Sequence, residues 1–276
     1  MKRYRVLRMD FDFRANFLNL PIDESWDPKF KQQHNDNKQK VREGLVQEYG
    51  ADSHELKLKI FTDLGAAPFS ILAYHNRFLH QIRDAFVIGS YYPALTAACA
   101  LGERILNHLV LELRDSHKAT PEYKAVYRKH SFDNWDIPIK TLTAWKVLQP
   151  EVVTAFNELE KIRHAAIHFR PDVDHNDREL ALSAVQTLGR IIDGQFSAFG
   201  AHPWFIPNTP GTAFLRKASE ANPFIRTIYI PNCQLVGPYH KIGARDGKWI
   251  LIDDFEYEYK EVTDEEFADL FNKGSP

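Results

Sequence analysis

Residues 150–171 read PEVVTAFNELEKIRHAAIHFRP, and the interpretation of the whole chain starts from this stretch. Apolar residues recur at every third or fourth position from Val152 onward, which predicts an amphipathic helix that stops at the final proline. Its last turns carry one permanent cation and two imidazoles, contributed by Arg163, His164 and His168. The stretch therefore predicts both a core helix and a candidate site.

Three other stretches carry helical periodicity. Residues 68–89 predict a helix with a solvated face of His75, Asn76, Arg77, His80 and Arg83. Residues 91–114 are apolar over most of a helix circumference, as in the central helix of a bundle. Asn176 or Asp177 can cap a last helix that runs to about Phe199. Four long helices within residues 68–199 predict a mainly α protein built on an antiparallel four-helix bundle.

The flanking regions predict smaller elements. Residues 1–67 form an N-terminal strand and helix extension. It contains a half-buried strand at 8–13, with Met9, Phe11 and Phe13 on one face, and a polar helix from about Pro28 to Tyr49. Residues 200–276 form a linker and a small β-containing region. Its predicted elements are a proline-rich linker at 200–211, strands at 227–230 and 235–242, a hairpin leading into 248–252, and a helix capped by Thr263 and Glu266.

Composition restricts the possible partners. The net charge is −2 and the pI is about 6.6, so any RNA contact is local, without a bulk basic surface. Cys99 lies in an apolar run and Cys233 is the only other cysteine, which indicates free thiols in a reducing cytosol. No apolar segment reaches the length of roughly 18 residues that a membrane span needs. We expect a soluble, cytoplasmic protein with no membrane partner.

The spacing Arg-x4-His does not by itself identify a site, because it occurs at both 163–168 and 170–175. On a helix, Arg163 and His168 lie about 140° apart and His164 and His168 about 40° apart. Arg163 and His168 therefore lie on the two sides of one helix face, and His164 lies on the same side as His168. A purely structural interpretation is also available, since cations near a helix C-terminus gain roughly 0.3–1 kcal/mol from the helix dipole.

A zinc site is a further alternative. His164 and His168 have the i, i+4 spacing of two zinc ligands, and His175, Asp172 or Asp174 could complete the set. However, Ala165 stands where the metalloprotease motif requires a glutamate. The chain also contains no P-loop, no GxGxxG and no nucleophile elbow. We therefore expect no metal and no other cofactor.

The motif RHAAIH at 163–168 and the preceding core helix YYPALTAACALGERILNHLV, with its small residues and its Glu103-Arg104 pair, resemble the HEPN superfamily of helical bundles. The resemblance covers about residues 68–199. His164 departs from the family pattern, in which asparagine more often follows the arginine. We expect Glu103 and Arg104 to form a buried or interfacial ion pair, unless Glu103 orients Arg163.

The resemblance implies metal-independent cleavage of RNA, in which a 2′-hydroxyl attacks the adjacent phosphate and leaves a cyclic phosphate. It assigns His168 as the general base or the general acid. It assigns Arg163 as the cation that stabilises the negative charge on the phosphorane. A homodimer would supply a second histidine, or His164 would do so within one chain. The resemblance also implies a role in stress or anti-phage defence. The alternative is a catalytically inactive module of the same type that binds RNA or, through the flanking regions, a protein partner.

Overall fold

A computed structural model describes residues 1–167, 176–245 and 248–274. The fold is mainly helical with small antiparallel sheets, which confirms the predicted class at this level. The chain divides into two compact units. One comprises Met1–Met9, Ser70–Ala73 and Ser197–Pro276, and the other comprises Asp10–Phe69 and Tyr74–Phe196. These bounds differ from the three consecutive regions expected from the sequence, because segments remote along the chain pack together.

The larger unit is helical and contains the candidate site. Its helices are α1 (Arg14–Asn19), α2 (Pro28–Tyr49), α3 (His54–Leu64), α4 (His75–Val87), α5 (Tyr91–Leu113), α6 (Tyr123–Val126), α7 (Asp136–Ala144), α8 (Pro150–Ile167) and α9 (Asp177–Phe196). Strands β2 (Met9–Asp12) and β3 (Ala67–Ile71) pair with each other, and this unit contains their residues Asp10–Asp12 and Ala67–Phe69. The polar helix α2 has the bounds that the sequence predicts. The Asp27 side chain caps its first turn, and the chain leaves it at Gly50 with a φ of 83°.

Helix α5 is the centre of the helical unit and packs against α4, α8 and α9. Its length and composition would also suit a membrane span over Tyr91–His117, contrary to the expectation that no segment would qualify. Just over half of that apolar window is buried inside the fold. Packing against three neighbouring helices is the ordinary environment of a core helix.

The helix predicted from Pro68 begins later than expected. Residues Ala67–Ile71 form strand β3, and α4 starts only at His75. The short apolar run at the start of this segment fits a strand and a helix equally well, and pairing with β2 selects the strand. The predicted solvated face of α4 is also wrong in part. His75, Asn76 and Arg83 are buried, because α3 and α5 both pack against this helix.

The strand predicted at 8–13 is present as β2, but its aromatic residues are not buried. Phe11 and Phe13 keep 41% and 49% of their surface exposed. They instead stack on one another with ring centroids 5.8 Å apart, and Phe11 stacks on Phe69 at 4.3 Å. The alternation in the sequence therefore identified the strand correctly but not the environment of its aromatic face.

The smaller unit joins the two ends of the chain. Strand β1 (Arg3–Val6) pairs antiparallel with β4 (Cys233–Val236), and β5 (Lys241–Arg245) pairs antiparallel with β6 (Lys248–Ile252) in the predicted hairpin. The last helix, α10 (Asp264–Lys273), begins with the predicted capping box of Thr263 and Glu266. The buried Arg3 side chain forms an ion pair with Asp264 over 2.8 Å, which ties β1 to α10.

Three expectations for this unit are wrong in whole or in part. Ile225–Tyr229 is a π-helical turn rather than a strand, because Ile225, Ile228 and Tyr229 face the core at helical spacing. Residues 200–211 do not behave as a linker, because Trp204, Phe205 and Ile206 are buried. The strand predicted at 235–242 is divided between β4 and β5.

Candidate functional site

Helix α8 brings Arg163 and His164 to the site. Pro150 opens the helix at the position where a missing N–H is harmless, and Glu151 in the first turn complements the helix dipole. A buried stripe of Val152, Ala155, Phe156, Leu159 and Ala166 holds the helix against α5 and α9. This stripe leaves Arg163 half-buried at the edge of the core and His164 exposed.

Arg163 forms an ion pair with Glu103 of α5, with 3.1 Å between Arg163 Nη2 and Glu103 Oε2. The guanidinium carbon also lies 5.6 Å from the ring of Trp135, within the range of a cation–π contact. The indole N–H of Trp135 donates to the same oxygen of Glu103 over 3.3 Å. Glu103 and Trp135 together fix the position of the arginine on α8.

Trp135 reaches this position because Gly102 leaves room for it. A Cβ at residue 102 would lie 2.8 Å from the indole ring and 2.7 Å from Leu159 of α8. Asn107, further along α5, anchors the segment that precedes the tryptophan. Its side chain donates to the carbonyl of Phe132 over 3.1 Å and accepts from the N–H of Phe132 over 2.7 Å. The buried tryptophan, the glycine and the asparagine form one packed assembly around Glu103.

The electrostatics of this site rest on one paired charge. Arg163 and Glu103 neutralise each other, with 22% and 33% of their side-chain surfaces exposed. Cys99, one turn before Glu103, is buried, and burial raises the pKa of its thiol to about 12 although the charge of Arg163 acts in the opposite direction. A thiol with such a pKa is almost entirely protonated at neutral pH, which makes it a poor nucleophile.

The structure places two of the three predicted site residues on the described part of α8, Arg163 and His164. His168 lies outside the described residues, as do the alternative zinc ligands Asp172, Asp174 and His175. Within the described ranges, no group of three or more His, Cys, Asp or Glu residues could hold a metal ion.

The expected ion pair between Glu103 and Arg104 is wrong. Glu103 pairs with Arg163, whereas the Arg104 guanidinium lies 4.8 Å from the ring of Phe78. Successive helical residues point about 100° apart, so the two neighbours face different helices. The alternative that Glu103 orients Arg163 is confirmed. Trp135 is a further member of the site, and the sequence did not single it out.

Comparisons with protein-family models, with curated proteins and with solved structures found no match to this chain.

Proposed function

We propose that this protein is a metal-independent endoribonuclease of the HEPN type that acts as a homodimer in the cytoplasm. In this proposal α4, α5, α8 and α9 are the four helices of the HEPN-like bundle, and the motif at 163–168 is its active site. The observation that carries the proposal is the anchoring of Arg163 by Glu103 and Trp135 at the end of a core helix. Such anchoring holds a cation in one orientation, which electrostatic catalysis requires.

Arg163 is suited to binding a phosphodiester. Its Nη2 atom faces Glu103, and within the described residues no acceptor bonds its Nε and Nη1 atoms. Each of these two nitrogens can donate a charge-assisted hydrogen bond to a phosphate oxygen. In the proposed reaction the 2′-hydroxyl of RNA attacks the adjacent phosphate, and Arg163 stabilises the negative charge that develops on the phosphorane.

The proton transfers are assigned to the histidines. A histidine titrates near neutral pH and can therefore remove the proton of the 2′-hydroxyl or protonate the leaving 5′-oxygen. His168 takes one of these roles. The second histidine comes from the other subunit of the dimer or is His164 of the same chain. No step requires a metal or another cofactor.

A second candidate function is a catalytically inactive module of the same type that binds RNA or a partner protein. The Glu103 carboxylate favours this candidate, because it already neutralises the arginine that would have to attract a phosphate. The flanking regions, 1–67 and 200–276, would provide the surface for a protein partner. A role in stress or anti-phage defence belongs to either candidate and rests on the family resemblance alone.

The deciding experiment is an RNA cleavage assay on the purified full chain, with and without EDTA. We expect cleavage that survives EDTA, leaves a cyclic phosphate, and is lost in both Arg163→Ala and His168→Ala. Lys161→Ala is a matched control, because it removes an exposed cation from the same helix outside the motif. This variant should cleave RNA like the wild type.

The other outcomes separate the alternatives. Intact RNA in every sample would refute the enzyme and favour the inactive module. Cleavage that EDTA abolishes would point to the zinc site of His164 and His168. Light scattering after gel filtration tests the dimer, and a monomeric active enzyme would require His164 to act within one chain.

A further inference from the structure

The helical unit contains a cavity of about 370 Å³ that is separate from the motif on α8. Apolar side chains form much of its wall, including Phe13, Leu64, Phe69 and Leu79. Arg83 of α4 is part of the lining, and Arg190 and Asp193 of α9 are the other charged residues there. A concave, mostly apolar pocket with a few polar groups is the usual form of a small-molecule site, and this volume lies at the lower end of their range.

Arg83 is the unusual member of this lining, because it is buried with only 7% of its surface exposed. Its Nη2 atom donates to the carbonyl of Gly65 over 2.6 Å. Among the residues that the structure describes, no acceptor bonds its remaining guanidinium N–H groups and no carboxylate lies within ion-pairing distance. Burial lowers the pKa of this guanidinium, which reflects the loss of hydration around the charge.

The carboxylates of Asp12 and Asp84 lie near enough to favour the charge of Arg83, but their hydrogen bonds go to other groups. Asp12 forms an ion pair with Arg14 over 2.9 Å, and Asp84 accepts a hydrogen bond from the Tyr49 hydroxyl over 3.0 Å. A buried charge is costly unless a partner compensates it. Neither carboxylate bonds to Arg83, so the cavity wall presents a guanidinium with N–H groups that can bond to a ligand.

The other charges of the lining restrict the ligand. Arg190 forms an ion pair with Glu158 over 2.5 Å, so it contributes little further positive charge. Asp193 is exposed and adds a negative charge that disfavours dianions and polyanions. We propose that this cavity binds a small organic monocarboxylate with an aromatic or apolar body. The planar Arg83 guanidinium donates two N–H groups to the ligand carboxylate, and the phenylalanine and leucine side chains contact the apolar body of the ligand.

The proposal is independent of the ribonuclease function, because the two use different residues, and it is tested by binding. The full chain is titrated by calorimetry with phenylacetate, indole-3-acetate and 4-methylpentanoate, and with the neutral amide of each. We expect at least one acid to bind with a Kd below about 1 mM and about tenfold more tightly than its amide. Arg83→Met should abolish this preference for the acid.

Arg178→Gln is the matched control. It removes an ion-paired arginine of the helical unit that does not line the cavity. This variant should keep the full preference. If Arg83→Met does not fold, Arg83→Lys replaces the fork by a single ammonium, and the preference should fall at least about threefold. Acids that bind no better than their amides to the wild type, or a preference unchanged in the Arg83 variant, would overturn the proposal.

Discussion

Replacing Gly102 by alanine should destabilise the helical unit, although alanine is the better helix former. The added Cβ would lie 2.7 Å from Leu159 Cδ2 and 2.8 Å from Trp135 Cη2. Both distances are well below the roughly 3.5–4.0 Å of a favourable carbon–carbon contact. The leucine can rotate away, but the indole is fully buried and bonded to Glu103, so it can move only by disturbing the site.

The expected magnitude follows from two opposing effects. Adding a methyl group to a packed core costs about 1–3 kcal/mol, whereas replacing glycine by alanine inside a helix gains about 0.8–1.0 kcal/mol. We expect a net loss of about 1 kcal/mol in the free energy of unfolding. In a protein of this size the loss corresponds to a decrease in Tm of about 2–4 °C.

Gly44→Ala in α2 is the matched control, because a Cβ there would meet no atom within 4 Å. This variant gains the helix propensity without the steric cost, so its free energy of unfolding should increase by up to about 1 kcal/mol. Urea denaturation followed by circular dichroism and tryptophan fluorescence measures both variants. If Gly102→Ala proves as stable as Gly44→Ala, the close packing of α5, α8 and Trp135 that positions Glu103 would be refuted.

Three further perturbations test other contacts of the structure. A double-mutant cycle of Glu103→Gln and Arg163→Met, measured as free energies of unfolding, should give a coupling energy below about 1 kcal/mol, because the ion pair is partly exposed. A much larger coupling energy would indicate a fully desolvated pair. Burial lowers the pKa of His75 to about 3, so this imidazole resists protonation in the folded state. The free energy of unfolding should therefore decrease as the pH falls from about 6.5 towards 3. The decrease should be at most about 1.4 kcal/mol per pH unit. His75→Gln should remove this contribution from urea denaturation curves across that range, and an unchanged slope would contradict it. Thr263→Ala removes the cap of α10 and should cost about 1 kcal/mol, measured by thermal denaturation, whereas Thr263→Ser should be nearly neutral.

The long helices were predictable because their determinants are local. The apolar periodicity of α5, α8 and α9 and the Asp27 and Gly50 ends of α2 lie within the helices or next to them. The same locality explains the failures. A short apolar run such as residues 67–71 fits a strand or a helix, and only pairing with a remote strand decides between them.

The candidate site was predictable in the same partial way. The sequence located Arg163 on the last turns of a core helix and left two partners open for Glu103, Arg104 and Arg163. It did not indicate Trp135, because no sequence pattern distinguishes a tryptophan that only packs in the core from one that also contacts a guanidinium. The tertiary structure supplies this information through the space that Gly102 leaves beside the ring.

The sequence by itself therefore determined the long helices α2, α5, α8 and α9 and the residues at the end of α8. Only the tertiary structure decided which polar side chains of those helices are buried and which partners they have, as Arg83 and His75 of α4 illustrate. The physical reason is that periodicity records how polar a helix face is, whereas burial depends on the remote segment that packs against it. Arg83 was predicted to face solvent, and the packing instead leaves it in the wall of a cavity.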